Sequence, residues 1–168
     1  MLDVGVIEAF AKDHYETTPA GGITLQPLRG GLESAGIARA VVRAGDGRPL
    51  GSFVVKPLHG AALREYGVHC ALRRTGCSSA APRLLGFREV APHTGYEFLE
   101  WVESAGRWPW KDPRCVALVL EQLARLHSCD PAPFENALGS WDYGSELNDS
   151  ARATIDVFRS TYVAGFRV

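Results

Sequence analysis

The sequence predicts an α+β chain: a five-stranded antiparallel sheet with one helix packed on it, followed by a helical segment. Two patterns carry this expectation. Between Ile23 and Trp101, five short apolar runs separated by Gly, Pro and Asp turn residues are interrupted by a single stretch with three- and four-residue apolar spacing. Beyond Trp101 the composition changes, and apolar residues recur at helical spacing. The bulk composition agrees, since 168 residues that are 46% hydrophobic, 10% aromatic and 22% charged make an ordinary folded chain. That excludes disordered and collagen-like classes. With 18 basic against 19 acidic side chains and a net charge of −1, no global field gathers nucleic acid or an anionic membrane. A charged ligand has to be met by a local site.

Asp3 stands at an N-cap position ahead of Val4, Ile7, Phe10 and Ala11, so a helix is predicted to about Tyr15, ending before the turn-rich residues 17–22. Strands are then predicted over Ile23–Leu28, Ile37–Ala44 and Ser52–Pro57, with Asp46-Gly47 as the hairpin turn between the last two. From Gly60 to about Arg74 the period becomes helical. Leu63, Tyr66 and Cys70 share one stripe, Ala61, Val68 and Leu72 another, and Gly76 supplies the stop. Two more strands are predicted over Arg83–Val90 and Gly95–Trp101. Asp112-Pro113 marks the next helix by N-cap and first-turn proline. That helix, Pro113–Ser128, is apolar at Val116, Val119, Leu120, Leu123 and Leu126, a width that calls for a place in a core, and Asp130-Pro131-Ala132-Pro133 ends it. A last helix is predicted over Asp149–Val163.

Cys70, Cys77, Cys115 and Cys129 show neither a C-x-x-C pair nor histidines at zinc-finger spacing, and read as reduced thiols. No apolar run approaches the ~18–20 residues of a membrane span. The first residues lack the basic and apolar regions of a secretory leader, so the expected location is cytoplasmic. Trp101, Trp108, Trp110 and Trp141 read either as packing residues or as stacking platforms.

The loop from Arg29 to Gly36 connects two strands and is rich in glycine, which lets backbone N–H groups approach a phosphate. Gly31 and Gly36 have the outer spacing of a Walker loop, but Ile37-Ala38 follow where Lys and a hydroxyl residue are required. The loop alone reads as a plain hairpin or a phosphate cradle. Lys56 closes the apolar strand Phe53-Val54-Val55, where an unpaired ammonium is costly to desolvate. Glu65, in the following helix, offers the partner. A strand lysine paired with a helix glutamate beside a glycine loop is how protein kinases hold the α- and β-phosphates of ATP.

Arg29-Gly30-Gly31, Val54-Val55-Lys56, Ala81-Pro82-Arg83-Leu84-Leu85-Gly86, Glu97-Phe98-Leu99-Glu100-Trp101-Val102 and Leu123-Ala124-Arg125-Leu126-His127 together resemble the aminoglycoside phosphotransferase family of kinase-like enzymes. The resemblance spans Leu25 to His127. It implies a kinase-like N-terminal lobe over residues 1–99, a hinge and linker over 100–111, and a partial helical lobe over 112–168. It also implies ATP and Mg²⁺, with Gly30, Gly31 and Ser34 over the phosphates, Lys56 on them and Glu65 orienting Lys56. Glu100, Trp101 and Val102 would form the hinge that holds the adenine. The implied reaction moves the ATP γ-phosphoryl to a hydroxyl of a small molecule.

The family's H-x-D-x-x-x-x-N catalytic loop is missing, since none of His14, His59, His69, His93 and His127 is followed two residues later by Asp. His127-Ser128-Cys129-Asp130 with Asn136 misses both spacings by one. No catalytic or metal residue is therefore named, the magnesium ligands are expected outside this chain, and the chain alone is expected to be inactive. Its partners are a nucleotide and, for the whole enzyme, a hydroxyl acceptor, with neither nucleic acid nor membrane. The exposed apolar faces of the Pro113–Ser128 and Asp149–Val163 helices are expected to make the chain self-associate or unstable. Two alternatives stand beside this reading: a non-catalytic nucleotide-binding or regulatory module, and a plain α+β domain with a structural Lys56–Glu65 pair.

Overall fold

In a computed structural model, residues 2–28, 36–103, 111–139, 145, 149 and 152 are described. The chain divides into two compact units, Met1–Ala137 and Leu138–Val168. The elements in order are α1 (Val4–Tyr15), β1 (Ile23–Pro27), β2 (Ala38–Arg43), β3 (Pro49–His59), α2 (Leu63–Arg74), β4 (Leu84–Ala91), β5 (Thr94–Glu100), α3 (Pro113–His127) and α4 (Ala132–Leu138). Short 3₁₀ turns at Gly60–Ala62 and Ser78–Ala80 lead into and follow α2. The predicted helix Asp149–Val163 lies outside the described residues apart from Asp149 and Arg152.

All five strands form one antiparallel sheet in the order β1-β2-β3-β5-β4, as the α+β reading expects. Asp46 organises the β2–β3 hairpin: its Oδ1 accepts from the Arg48 N–H at 2.9 Å, and Gly47 takes a φ of +80° that a side chain disfavours. β3 outruns the predicted Ser52–Pro57 because it is shared. Its start pairs with β2 (Pro49 opposite Arg43) and its end with β5 (His59 opposite Thr94), so ladder bonds continue past the apolar run.

Two helices pack on this sheet, where one was expected, and strand alternation assigns them to opposite faces. Val55 and Phe98 are directly opposite in the β3–β5 register and share a face with Ala40, Val42, Phe53 and Tyr96; this face meets Ile7, Phe10 and Ala11 of α1. Phe10 stacks on Phe98 with centroids 3.7 Å apart and meets Phe53 edge-on at 5.2 Å. β4 carries Gly86 under the same ring, since a Cβ there would lie 2.8 Å from Phe10. Asp3 caps α1 by accepting from the Gly5 and Val6 N–H groups, and its own N–H donates to the Tyr96 hydroxyl at 3.0 Å. The next pair in the register, Lys56 opposite Glu97, faces the other way, toward α2.

The helical segment corrects three expectations. Asp112 caps α3 as predicted, accepting from the Arg114 N–H at 2.9 Å, but α3 has no buried residue among those described. One stripe through Val116, Val119, Gln122 and Leu126 is half-buried, and Ser79 Oγ donates to Gln122 Oε1 at 2.8 Å. Leu118, Leu120 and Leu123 remain 59%, 60% and 46% exposed, so among the described residues no core encloses the helix. Residues 130–133 end α3 but also begin α4, because Asp130 accepts from the Ala132 N–H at 3.1 Å and caps a new turn. The cysteines are not all thiols: Cys77 and Cys129 are joined in a disulfide across 52 residues, while Cys70 and Cys115 are free. The pair meets because the turn after α2 lies against α3, a proximity that spacing along the chain does not reveal.

Closing a loop of that length contributes about 4 kcal/mol in the chain-entropy account. Thiol titration of the denatured chain is expected to find two reactive thiols without reductant and four after reduction, and the reduced chain should melt earlier. Four thiols without reductant, in protein kept from air, would contradict the pairing.

Candidate functional site

Four titratable side chains converge between the sheet and α2. Lys56 and Glu97 are cross-strand neighbours on β3 and β5, so they point to the same face. Glu65 and His69 are one helical turn apart on α2 and so share its sheet-facing side. Tyr66, between them in sequence, stacks on Phe87 of β4 with centroids 4.3 Å apart and helps to seat the helix. Lys56 Nζ donates to both Glu65 carboxylate oxygens, at 2.6 and 2.5 Å. His69 Nδ1 lies 2.6 Å from Glu97 Oε1; an ionised carboxylate only accepts, so with Glu97 in that form Nδ1 is the donor.

Burial grades the four groups. Lys56 and Glu65 side chains are 26% and 35% exposed, His69 is 10% exposed and Glu97 is fully buried. Glu97 Oε2 has no hydrogen-bond partner among the described residues. A carboxylate so placed needs a nearby cation, and the hydrogen bond to Glu97 accordingly raises the His69 pKa. Burial opposes the rise, the charges of Glu97 and Glu65 reinforce it, and Lys56 opposes it. With His69 protonated, the quartet holds two cations and two carboxylates and neutralises itself. Glu65, His69 and Glu97 also offer three donor atoms within 4.8 Å of one another. A metal ion there would have to displace the ammonium already seated on Glu65.

The sequence-predicted residues fall around this quartet as follows. Lys56 and Glu65 are brought together. Gly30, Gly31 and Ser34 lie outside the described residues, but the base of their loop is defined: the Leu28 N–H donates to the Ile37 carbonyl at 3.0 Å, and Gly36, at φ +90°, abuts Pro57, with an added Cβ 3.2 Å from its ring. The loop therefore springs from the sheet next to Lys56. Glu100 pairs with Phe53, three residues along β3 from Lys56, a separation of about 10 Å at strand rise. Its backbone N–H donates to the Arg83 carbonyl at 2.9 Å and its Oε1 accepts from the Arg83 N–H at 2.8 Å. Trp101 Nε1 donates to Glu103 at 2.6 Å, and the Arg39 guanidinium lies 4.3 Å from the ring centroid. Among the described residues the backbone N–H groups of Trp101 and Val102 make no backbone hydrogen bond, and Val102 is 58% exposed.

His69 and Glu97 are the residues that sequence reasoning missed. A signal existed, because Glu97 is a charged residue inside the apolar run Tyr96-Glu97-Phe98-Leu99, just as Lys56 is at the end of its own strand. Compared with family models, curated proteins and solved structures, the chain has no match.

A histidine whose folded pKa lies above its unfolded value of 6.5 binds its proton more tightly when folded. The resulting stabilisation is complete below about pH 6.5 and is lost as pH rises through the raised folded value. His69→Gln retains a donor but cannot titrate, so denaturant unfolding over a pH series should show a weaker pH dependence in that window than the parent. Identical slopes in the two proteins would exclude His69 as the titrating group.

Proposed function

We propose that this chain is the ATP-binding portion of a kinase-like phosphotransferase acting on a hydroxyl of a small molecule, similar to the aminoglycoside phosphotransferase family. The observation that carries the reading is the Lys56–Glu65 ion pair, which joins a central strand to a packed helix beside the base of a glycine-rich loop. A lysine on the sheet can neutralise the α- and β-phosphates only while its ammonium is held in place, and the carboxylate does that. Glu100, which lies roughly 10 Å along the sheet from Lys56, a separation suited to a nucleoside, leads into Trp101 and Val102, whose N–H groups make no backbone bond among the described residues. In this reading Gly30, Gly31 and Ser34 cover the phosphates, Glu100, Trp101 and Val102 hold the base, and the residues 1–99, 100–111 and 112–168 act as small lobe, hinge and part of a large lobe.

The binding step needs only these groups. The transfer step needs a base near the attacking hydroxyl and carboxylates on magnesium, and the sequence contains no H-x-D-x-x-x-x-N segment to supply them. The donor cluster Glu65, His69 and Glu97 is a poor fit to Mg²⁺, which prefers an all-oxygen octahedron, and Lys56 already neutralises Glu65. In this reading the chain by itself turns over no ATP. The same missing segment favours, as a second reading, a nucleotide-binding module without catalysis.

Melting temperature followed during ATP titration, with and without Mg²⁺, separates the readings. Stabilisation of about 2.7 kcal/mol is expected at a nucleotide concentration 100 times the Kd. Lys56→Met should abolish it, Glu65→Gln should weaken binding about tenfold, roughly 1.4 kcal/mol, and Lys12→Met on α1 should leave it unchanged. No shift at millimolar ATP would leave only a structural role for the ion pair, and ATP turnover by the chain would contradict the missing catalytic segment.

The exposed Leu118, Leu120 and Leu123 support self-association through α3. Sedimentation should find mass rising with concentration, and Leu120→Glu should shift the chain toward monomer without lowering its melting temperature. A parent chain monomeric at all concentrations would count against this contact.

A further inference from the structure

A cleft of about 410 Å³ opens beside the start of β4, between the last turn of α1, the second half of α2 and the segment leading into β4. Its basic residues come from all three: His14 from α1, His69 and Arg73 from α2, and Arg83 just before β4. No acidic residue lines it, although the chain as a whole carries a net charge of −1. The nearby carboxylates already have partners, Glu97 and Glu100 on the cleft residues His69 and Arg83 themselves. Asp13 is paired with Arg88 at 2.5 Å, and Glu97 lies behind His69, on its Nδ1. Glu100 binds the Arg83 backbone at 2.8 Å and lies 3.6 Å from its guanidinium, which is still 70% exposed. Arg73 makes no hydrogen bond or ion pair among the described residues. The carbonyls at the end of α2, which would repel an anion, are partly occupied, because Thr75 Oγ1 donates to those of Ala71 and Leu72 at 3.0 and 3.2 Å.

The cleft is not polar throughout. Leu72, which is buried, and Leu84, which is half-buried, give it an apolar wall. A lining that combines arginines with aliphatic carbon selects a ligand with both an anionic and an apolar part. We propose that this cleft binds a small organic anion, a phosphate monoester or carboxylate on a short apolar body, with the anionic group against Arg73 and the apolar body against Leu72 and Leu84. His69 is shared by the cleft and the charge quartet: Nδ1 is committed to Glu97, which leaves Nε2 as its second donor when the ring is protonated. An anion in the cleft would favour that protonated ring and so the contact of α2 with β5. Neither Lys56 nor Glu65 lines the cleft, so the site stands independently of nucleotide binding.

The test is a chemical-shift titration of the isotope-labelled chain with phenyl phosphate, sodium benzoate and, as the neutral control, phenol. Either anion should perturb the resonances of residues 69–73 and 83–85 at millimolar concentration and bind at least fivefold more tightly than phenol. Phenyl phosphate alone would assign a phosphate monoester, and benzoate alone a carboxylate. Arg73→Gln should weaken binding about tenfold, while Arg74→Gln, which alters an adjacent exposed arginine outside the cleft, should not. Lys56→Met should leave it intact. Binding of phenol as tight as the anions, equal loss in the two arginine variants, loss in Lys56→Met, or no perturbation of these residues would overturn the proposal.

Discussion

The pairing of β3 with β5 is the constraint on which the rest depends. Its register sets Val55 opposite Phe98 and Lys56 opposite Glu97, so each face of the sheet receives a matched pair. A slip of one residue would invert every side chain. A slipped β3 would carry Lys56 into the layer of Phe10 and Phe98, and a slipped β5 would turn Phe98 toward the carboxylate of Glu65. Neither exchange is tolerable, because an apolar layer cannot solvate an ammonium and a charged helix face gains nothing from a phenyl ring. Alternation thus divides the sheet into a face that supplies hydrophobic stability under α1 and a face that holds charge under α2.

Holding charge there has an electrostatic condition. A fully buried carboxylate in an interior of low dielectric is destabilising unless a cation is within hydrogen-bond reach. Glu97 meets that condition through His69, and His69 in turn depends on remaining protonated. The outer pair, Lys56 and Glu65, is partly solvated, so it can exchange one partner for another at less expense than the inner pair. The inner pair is thus buried and the outer pair partly solvated. His69 belongs both to the inner pair and to the wall of the basic cleft, which gives the two regions a shared side chain rather than only a shared helix.

Local signals in the sequence were read correctly where one short-range interaction decides the outcome. Asp3 and Asp112 cap their helices through contacts two or three residues away, and Asp46-Gly47 turns its hairpin by the same kind of bond. Residues 130–133 were misjudged because Asp-Pro ends one helix and starts another with the same chemistry, and only the chain path says which. α3 was expected in a core on the width of its apolar stripe, yet burial depends on whether another element arrives to cover it, and among the described residues only one stripe is covered. Lys56 and Glu65 were legible as a pair because a charge closing an apolar strand implies a partner close along the chain. Glu97 was passed over because its partner is 28 residues away, on a helix whose rotation the sequence does not state.

The sequence by itself determined the order and type of nearly every element in the first 128 residues, the antiparallel character of the sheet and the candidate lysine–glutamate pair. These follow from periodicity, capping and turn chemistry, all of which act over a few residues. The tertiary structure alone decided that α1 and α2 take opposite faces, that His69 completes a charge quartet with Glu97, that Cys77 meets Cys129, and that four basic residues converge on one cleft. Each of these depends on which distant segments come into contact, and that is set by strand register and helix docking rather than by any local preference of the chain.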